Sequence, residues 1–216
     1  MDNISDRAIG DSLRKYGVTP TGVQCRKIRS YISLLLKWNR SISLTTVTDV
    51  AGILKFHFGE SVFGLRAIRG IENGRLADVG AGAGFPGIPL RIFAPYLQLL
   101  LIESNAKKCV FLSEVVRALE LENVQVMRSQ FKELEESGTH FDIIAARALG
   151  RYEELLEWSG RALSPTGRMA LWLGVQDAGK LSTSRAWKWK EPIQIPGSNQ
   201  RVILAGVPDV AFSQNE

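Results

Sequence analysis

The sequence predicts an α/β fold: a doubly wound, mostly parallel sheet with an antiparallel C-terminal hairpin and an N-terminal helical cap. Three observations point there. From residue 75 onward, short runs rich in branched apolar residues alternate with helical patterns. Those runs are apolar on both faces, as strands covered by helices on two sides must be. The first run ends in Asp78 and opens into "GAGAGFPG" (80–87), with glycines at alternate positions and then a proline.

The first 70 residues read as the cap, and 71–216 as the sheet domain, the two packed as one unit with no linker between them. In "TPTGVQCRKIRSYISLLLKWNRSI", Val23, Ile28, Tyr31, Ile32, Leu35 and Trp38 recur at helical spacing. Thr19 or Thr21 is placed to cap this helix, with Pro20 near its first turn. "SISLTTVTD" is polar and β-branched and reads as an irregular link. "TDVAGILKFHFGESVFGL" then resumes a helical pattern.

The strand candidates are 75–80, 98–103, 124–129, 141–147, 168–174, 187–195 and 200–206. Helices are expected at 86–94, 105–120, 131–136 and 151–163, separating the first five strands. The last two strands are joined by the turn-rich "PGSNQ", so the sheet is expected to end in antiparallel pairing.

Composition narrows the function classes. A chain of 216 residues with 45% apolar and 23% charged residues is ordinary for one globular unit. No apolar run reaches the ~18 residues of a membrane span. The N-terminus lacks the apolar core of a signal peptide, so a cytoplasmic protein without membrane attachment is expected. Cys25 and Cys109 are far apart and match no zinc spacing, so no metal is expected. The net charge is uneven: residues 1–70 carry 11 Lys/Arg against 5 Asp/Glu, while the remainder is balanced to within one charge. A one-sided basic surface suits a polyanion, although a solvated helical face gives the same count. The "AWKWKEP" stretch reads as an exposed strand face. His57 and His140 stand in no obvious site position, and His57 reads as a packed or capping residue.

The glycine loop supports two readings. "GAGFPG" (82–87) fits a dinucleotide fingerprint, with Glu103 about 20 residues on for a ribose. Read from Asp78, the same stretch is acidic-x-Gly-x-Gly-x-Gly, the form used for S-adenosyl-L-methionine. In that reading Asp78 meets the donor's ammonium and the N–H groups of Gly80, Gly82 and Gly84 meet its carboxylate. Glu103 then accepts the ribose hydroxyls. A pyrophosphate gives Asp78 no evident use, and a hydride enzyme would need a substrate lobe for which little chain remains.

Beyond the loop, "WNRSISLTTVTD…HFGESV", "LADVGAGAGFPGIPLRI", "IESNAKKCVFLSEVVRALELENVQV" and "FDIIAARAL" resemble the RsmG family, also called the glucose-inhibited division protein B family. The likeness runs from about residue 20 to about residue 175. It implies a Rossmann-like class I methyltransferase sheet with S-adenosyl-L-methionine as cofactor, and methyl transfer to N7 of a guanine in small-subunit (16S) ribosomal RNA. The partner would be that RNA or the 30S particle, and the protein is expected to be a monomer. Carried over by position, the resemblance puts Gly80, Phe85, Glu103, Phe131, Lys132 and Arg147 at the donor, the Phe131–Lys132 pair near its adenine. Arg147 and Lys107 are the candidates to act in catalysis. The chain departs from the family pattern at Ser43, Gln130 and Leu173, positions associated with the RNA or the target base.

Guanine N7 has a lone pair and no proton, so its attack on a sulfonium methyl needs no general base. Alignment can carry the reaction. A donor-binding RNA-association protein without transfer, and a nicotinamide-dependent oxidoreductase, are the alternative readings of the same residues.

Overall fold

The computed structural model describes residues 4–138 and 140–209. Its sheet has the order β3-β2-β1-β4-β5-β8-β6, with β7 paired to β8. The strands are β1 (Arg75–Val79), β2 (Gln98–Glu103), β3 (Val124–Arg128), β4 (Phe141–Arg147), β5 (Leu163–Gly174), β6 (Trp187–Trp189), β7 (Ile193–Gln194) and β8 (Arg201–Pro208). β1 to β5 pair in parallel, whereas β8 runs antiparallel to β5, β6 and β7. The direction of winding reverses between β1 and β4. A crevice therefore opens outside their carboxyl ends, where open α/β sheets bind ligands.

The cap begins with α1 (Asp6–Arg14) and α2 (Gly22–Trp38). Ser5 caps α1, and Thr21 with Gln24 forms a reciprocal capping box on α2. The second helical stretch is continuous but changes pitch: α3 (Val50–Gly52), a π-helical turn (Ile53–Gly59), α4 (Glu60–Phe63) and a 3-10 turn (Gly64–Arg66). Between the strands run α5 (Gly87–Phe93), α6 (Ala106–Ala118), a 3-10 segment (Phe131–Ser137) and α7 (Tyr152–Ala162).

Strand alternation sends side chains to two cores. Leu76, Leu99, Leu101, Ile143, Ala145 and Trp172 face α5, α6 and the cap, in one continuous cluster with Tyr31, Phe58 and Phe85. Ala77, Val79, Ile102, Ile144, Leu171 and Leu173 face α7 and α8 (Val175–Leu181). By the same alternation Asp78, Glu103 and Arg147 point to the cap side.

Three expectations are corrected. The 187–195 strand is two short strands interrupted at 190–192, where Pro192 has no N–H to give a ladder. β5 begins at Leu163, not 168, and α8 follows it directly. Only part of "AWKWKEP" is exposed: Lys188 and Lys190 are, but Trp187 is buried and stacks on Trp189 at 5.3 Å between ring centroids.

Candidate functional site at the carboxyl edge of β1, β2 and β4

The loop leaving β1 is held from below by the strands. The N–H groups of Gly80 and Ala81 both donate to the Ile102 carbonyl, at 2.9 and 3.0 Å. Gly80, Gly82 and Gly84 all have positive φ (70, 57 and 88°), conformations a side chain disfavours. Their surroundings differ. A Cβ on Gly80 would lie 2.6 Å from Leu149, and one on Gly84 would lie 2.6 Å from both Tyr31 Oη and Ile88. A Cβ on Gly82 would meet nothing closer than the Gly80 carbonyl at 3.7 Å. The first and third glycines make room for protein; the middle one faces open space.

Two carboxylates bracket this loop. Glu103, buried at the end of β2, accepts from Gly82 N–H through Oε2 (2.9 Å) and from Asn105 N–H through Oε1 (2.7 Å). Each oxygen retains a second lone pair. Asp78 accepts from Gly87 N–H at 2.7 Å, bracing the start of α5, while its other oxygen is buried without a hydrogen-bond partner among the described residues. Burial pushes the Asp78 carboxyl up to about 7, with Glu103 adding to the rise; the Gly87 N–H and Arg147 oppose it.

The cap closes over the loop. Phe85 is stacked on Tyr31 (5.1 Å, 11°) and on His57 (4.7 Å, 21°), with Phe58 edge-on at 5.6 Å. The Tyr31 hydroxyl donates to the Ala83 carbonyl. His57 Nε2 is 2.7 Å from Thr45 Oγ1, and the Asn39 side chain folds the 39–45 link through Leu44 and Thr45. Burial, with Arg147 and Arg201 nearby, lowers His57 to about 4, so the ring is neutral at pH 7. The packed reading of His57 is thus met in a specific form, against the glycine loop itself.

Arg147, at the end of β4, donates to the Phe56 carbonyl (2.8 Å) and pairs with Glu60 (3.0 Å). Glu60 is buried, and its second oxygen takes Arg201 at 2.8 Å. The Glu60 carbonyl accepts from Trp172 Nε1 at 2.7 Å. Burial raises the Glu60 carboxyl, and the two guanidiniums oppose that rise. A buried carboxylate between two arginines is weak evidence of added stability; its two oxygens hold Arg147 and Arg201 side by side. Glu60 and Arg201 escaped the sequence reading. Glu60 looks like an ordinary helix residue, and Arg201 lies 54 positions beyond Arg147.

The remaining candidates are dispersed around this centre. Lys107 is exposed in the first turn of α6, just past Glu103. Phe131 is buried against Trp158 at 5.4 Å on the far face, and Lys132 pairs with Glu154 at 3.0 Å. Gln130 caps the 3-10 segment together with Glu133, and Ser43 is exposed in the 39–45 link. Leu173 is a core residue facing away from Arg147. Its apolar character suits that packing. No cluster of three metal-ligating side chains occurs among the described residues.

A model of the family GidB, described as rRNA small subunit methyltransferase G, matches residues 24–195. The chain belongs to this family. Curated GidB relatives include the ribosomal RNA small subunit methyltransferase G of Xanthomonas oryzae pv. oryzae, 36% identical over 170 residues, covering 77% of this chain and 78% of that protein. The protein of the same name from Pseudomonas fluorescens is 36% identical over 168 residues, covering 78% and 77%. Among solved structures, a SAM-dependent methyltransferase from Aquifex aeolicus superposes with a TM-score of 0.56 at 16% identity, covering 72% of this chain and 92% of that one. At that identity the likeness is one of fold, and the GidB sheet is a class I methyltransferase sheet.

Proposed function

We propose that this GidB-family chain transfers a methyl group from S-adenosyl-L-methionine to N7 of a guanine in 16S ribosomal RNA. The observation that carries the reading is the pairing of family membership across 24–195 with a switch-point loop open at Gly82 between two carboxylates. The residues present fit the donor. Glu103 has lone pairs to spare for two ribose hydroxyls. Asp78 has an orphaned buried oxygen suited to an ammonium. Gly82 leaves space for a ligand against the main chain. Gly80, Gly84 and Phe85 shape that surface; Phe131 and Lys132, whose side chains turn to Trp158 and Glu154, are assigned to the adenine by the family resemblance, through backbone groups.

When bound, the donor supplies an electrophilic methyl on sulfur; the protein's task is alignment. Arg147 is fixed by Glu60 and the Phe56 carbonyl at the rim of the same crevice. It orients the incoming guanine by donating toward O6, an oxygen beside N7. Lys107 contributes charge toward a phosphate at the rim. The neutral His57 takes no proton from a base that has none to give at N7.

The test is transfer of labelled methyl from S-adenosyl-L-methionine to 30S particles or naked 16S RNA, with N7-methylguanine mapped in the product. A labelled product carrying the methyl at guanine N7 is expected. Calorimetric binding of S-adenosylhomocysteine without product on either substrate would reduce the protein to a donor-binding RNA partner. Preference for NAD(H) over S-adenosylhomocysteine would overturn the reading entirely.

A further inference from the structure

We propose that Tyr31, a residue of the cap and not of the sheet, is a positioning residue for the methyl donor: from α2 it holds the 82–85 backbone in the shape that presents Gly82 to the ligand. This rests on the donor reading above and adds a second segment of chain to that site. Tyr31 is fully buried, its hydroxyl donates to the Ala83 carbonyl, and its ring lies parallel to Phe85. The hydroxyl stays protonated, because burial and Asp78 raise its pKa well above the usual phenol range.

The glycine pattern records the same contact. Gly84 lacks a Cβ where one would lie 2.6 Å from the Tyr31 oxygen, so this glycine accommodates the cap. Ala83 lies between Gly82, whose N–H is on Glu103, and Gly84, whose N–H turns back to Ala81 at 2.6 Å. A segment with three glycines at positive φ has many other shapes available. A hydrogen bond to the carbonyl between two of them fixes the peptide plane that follows, and the stack on Phe85 fixes the exit. Anchored at both points from α2, the loop meets the donor already folded, which lowers the ordering cost of binding.

The test uses the full chain and two deletions of a single buried oxygen. Tyr31→Phe keeps the stack and removes the hydrogen bond. Tyr16→Phe removes the hydroxyl of another buried cap tyrosine, one whose oxygen has no hydrogen-bond partner among the described residues and whose ring packs on Gly59 and Phe63. Thermal midpoints are recorded beside affinity for S-adenosylhomocysteine and KM values for donor and 30S particle. Tyr31→Phe is expected to raise the dissociation constant and the donor KM about tenfold, the size of one buried hydrogen bond. Its KM for the particle should stay within about twofold, since a factor of two is under half a kcal/mol. Tyr16→Phe should leave all three within the same margin.

A purely structural role would lower the melting point of Tyr31→Phe and leave the donor constants alone, and that result would overturn the proposal. Equal weakening by Tyr16→Phe would overturn it too, by showing general loosening of the cap. If the wild-type chain fails to bind S-adenosylhomocysteine, the donor reading falls and this inference with it. If it binds and Tyr31→Phe binds equally well, this inference alone falls.

Discussion

Asp78 and His57 show how much a single residue's setting can add to what its letter says. Asp78 was legible as a loop acid, but its burial beneath Gly87 was not, because that depends on α5 starting directly over the strand end. His57 was legible only as a packed or capping residue, since its partners Thr45 and Phe85 come from two other segments. The two groups have opposite linkage to pH. His57 is lowered to about 4, below its unfolded value, so its contribution to stability is present above pH 6.5 and is lost as pH falls through 4. Asp78 is raised to about 7, so its contribution is present below its unfolded value near 4 and is lost as pH rises through 7. Between pH 4 and 6.5 the two terms oppose each other. Relative to wild type, Asp78→Asn should therefore gain stability with rising pH across this window, and His57→Gln should lose it. Each slope should approach about 1.4 kcal/mol per pH unit at mid-window. Urea melts of the three proteins at half-unit steps check this, and parallel curves would refute the assigned shifts.

At the scale of elements, the strands and their order of type were legible because buried parallel strands are apolar on both faces, and 75–79, 98–103 and 141–147 largely follow that rule, whereas the edge strand 124–128 alternates and leaves Gln125 and Arg128 exposed. What escaped was set by neighbours. α8, "VQDAGKL", is too short and polar to show a period, and it forms against β5 and β8, which bury Ala178. The π-helical turn at 53–59 carries no distinct sequence pattern, yet it aims Phe56, His57 and, just beyond, Glu60 at the carboxyl edge. The glycine loop was legible as a candidate site, but not the different surroundings of its three glycines. Those surroundings predict how alanine substitutions split. Gly82→Ala should cost about 1–2 kcal/mol from its left-handed backbone, and should weaken S-adenosylhomocysteine binding at least about tenfold by placing a methyl in the open crevice. Gly84→Ala pays the same backbone cost and adds a collision with Tyr31 and Ile88, so its stability loss should be the larger by about 1–3 kcal/mol. Chemical denaturation and calorimetry on both variants separate a glycine required by a ligand from one required by packing. Equal losses of stability would mean that the crevice at Gly82 is not open.

Across the whole molecule, the basic excess of the first 70 residues is sorted by where the fold puts each charge. Arg29 pairs with Asp6, Arg14 with Asp11, and Lys37 approaches Glu114 at 4.0 Å. Arg26 and Arg40 are exposed and form no ion pair among the described residues. They stand at opposite ends of α2. Near Arg26, Gln24 reaches the Ile92 carbonyl and Lys27 the Glu120 carbonyl, at the ends of α5 and α6 remote from the crevice. Arg40 enters the 39–45 link, which contacts His57 and through it the glycine loop; Lys107 opens α6 at the same edge. An RNA strand that delivered a guanine to this crevice would meet Arg40 and Lys107 at this edge, with Arg26 at the other end of α2. Phosphate contacts release counterions, so each one lost flattens the salt dependence of binding by close to one unit in log–log slope. Arg40→Ala and Lys107→Ala are each expected to reduce the slope of log KM for 16S RNA against log salt by about one. Affinity for S-adenosylhomocysteine should be unchanged in both. Arg26→Ala should leave the slope as in wild type, although it removes the same charge from the same third of the chain. If all three variants flatten the slope equally, net charge and not the carboxyl edge governs RNA docking, and the path drawn past Lys107 is wrong.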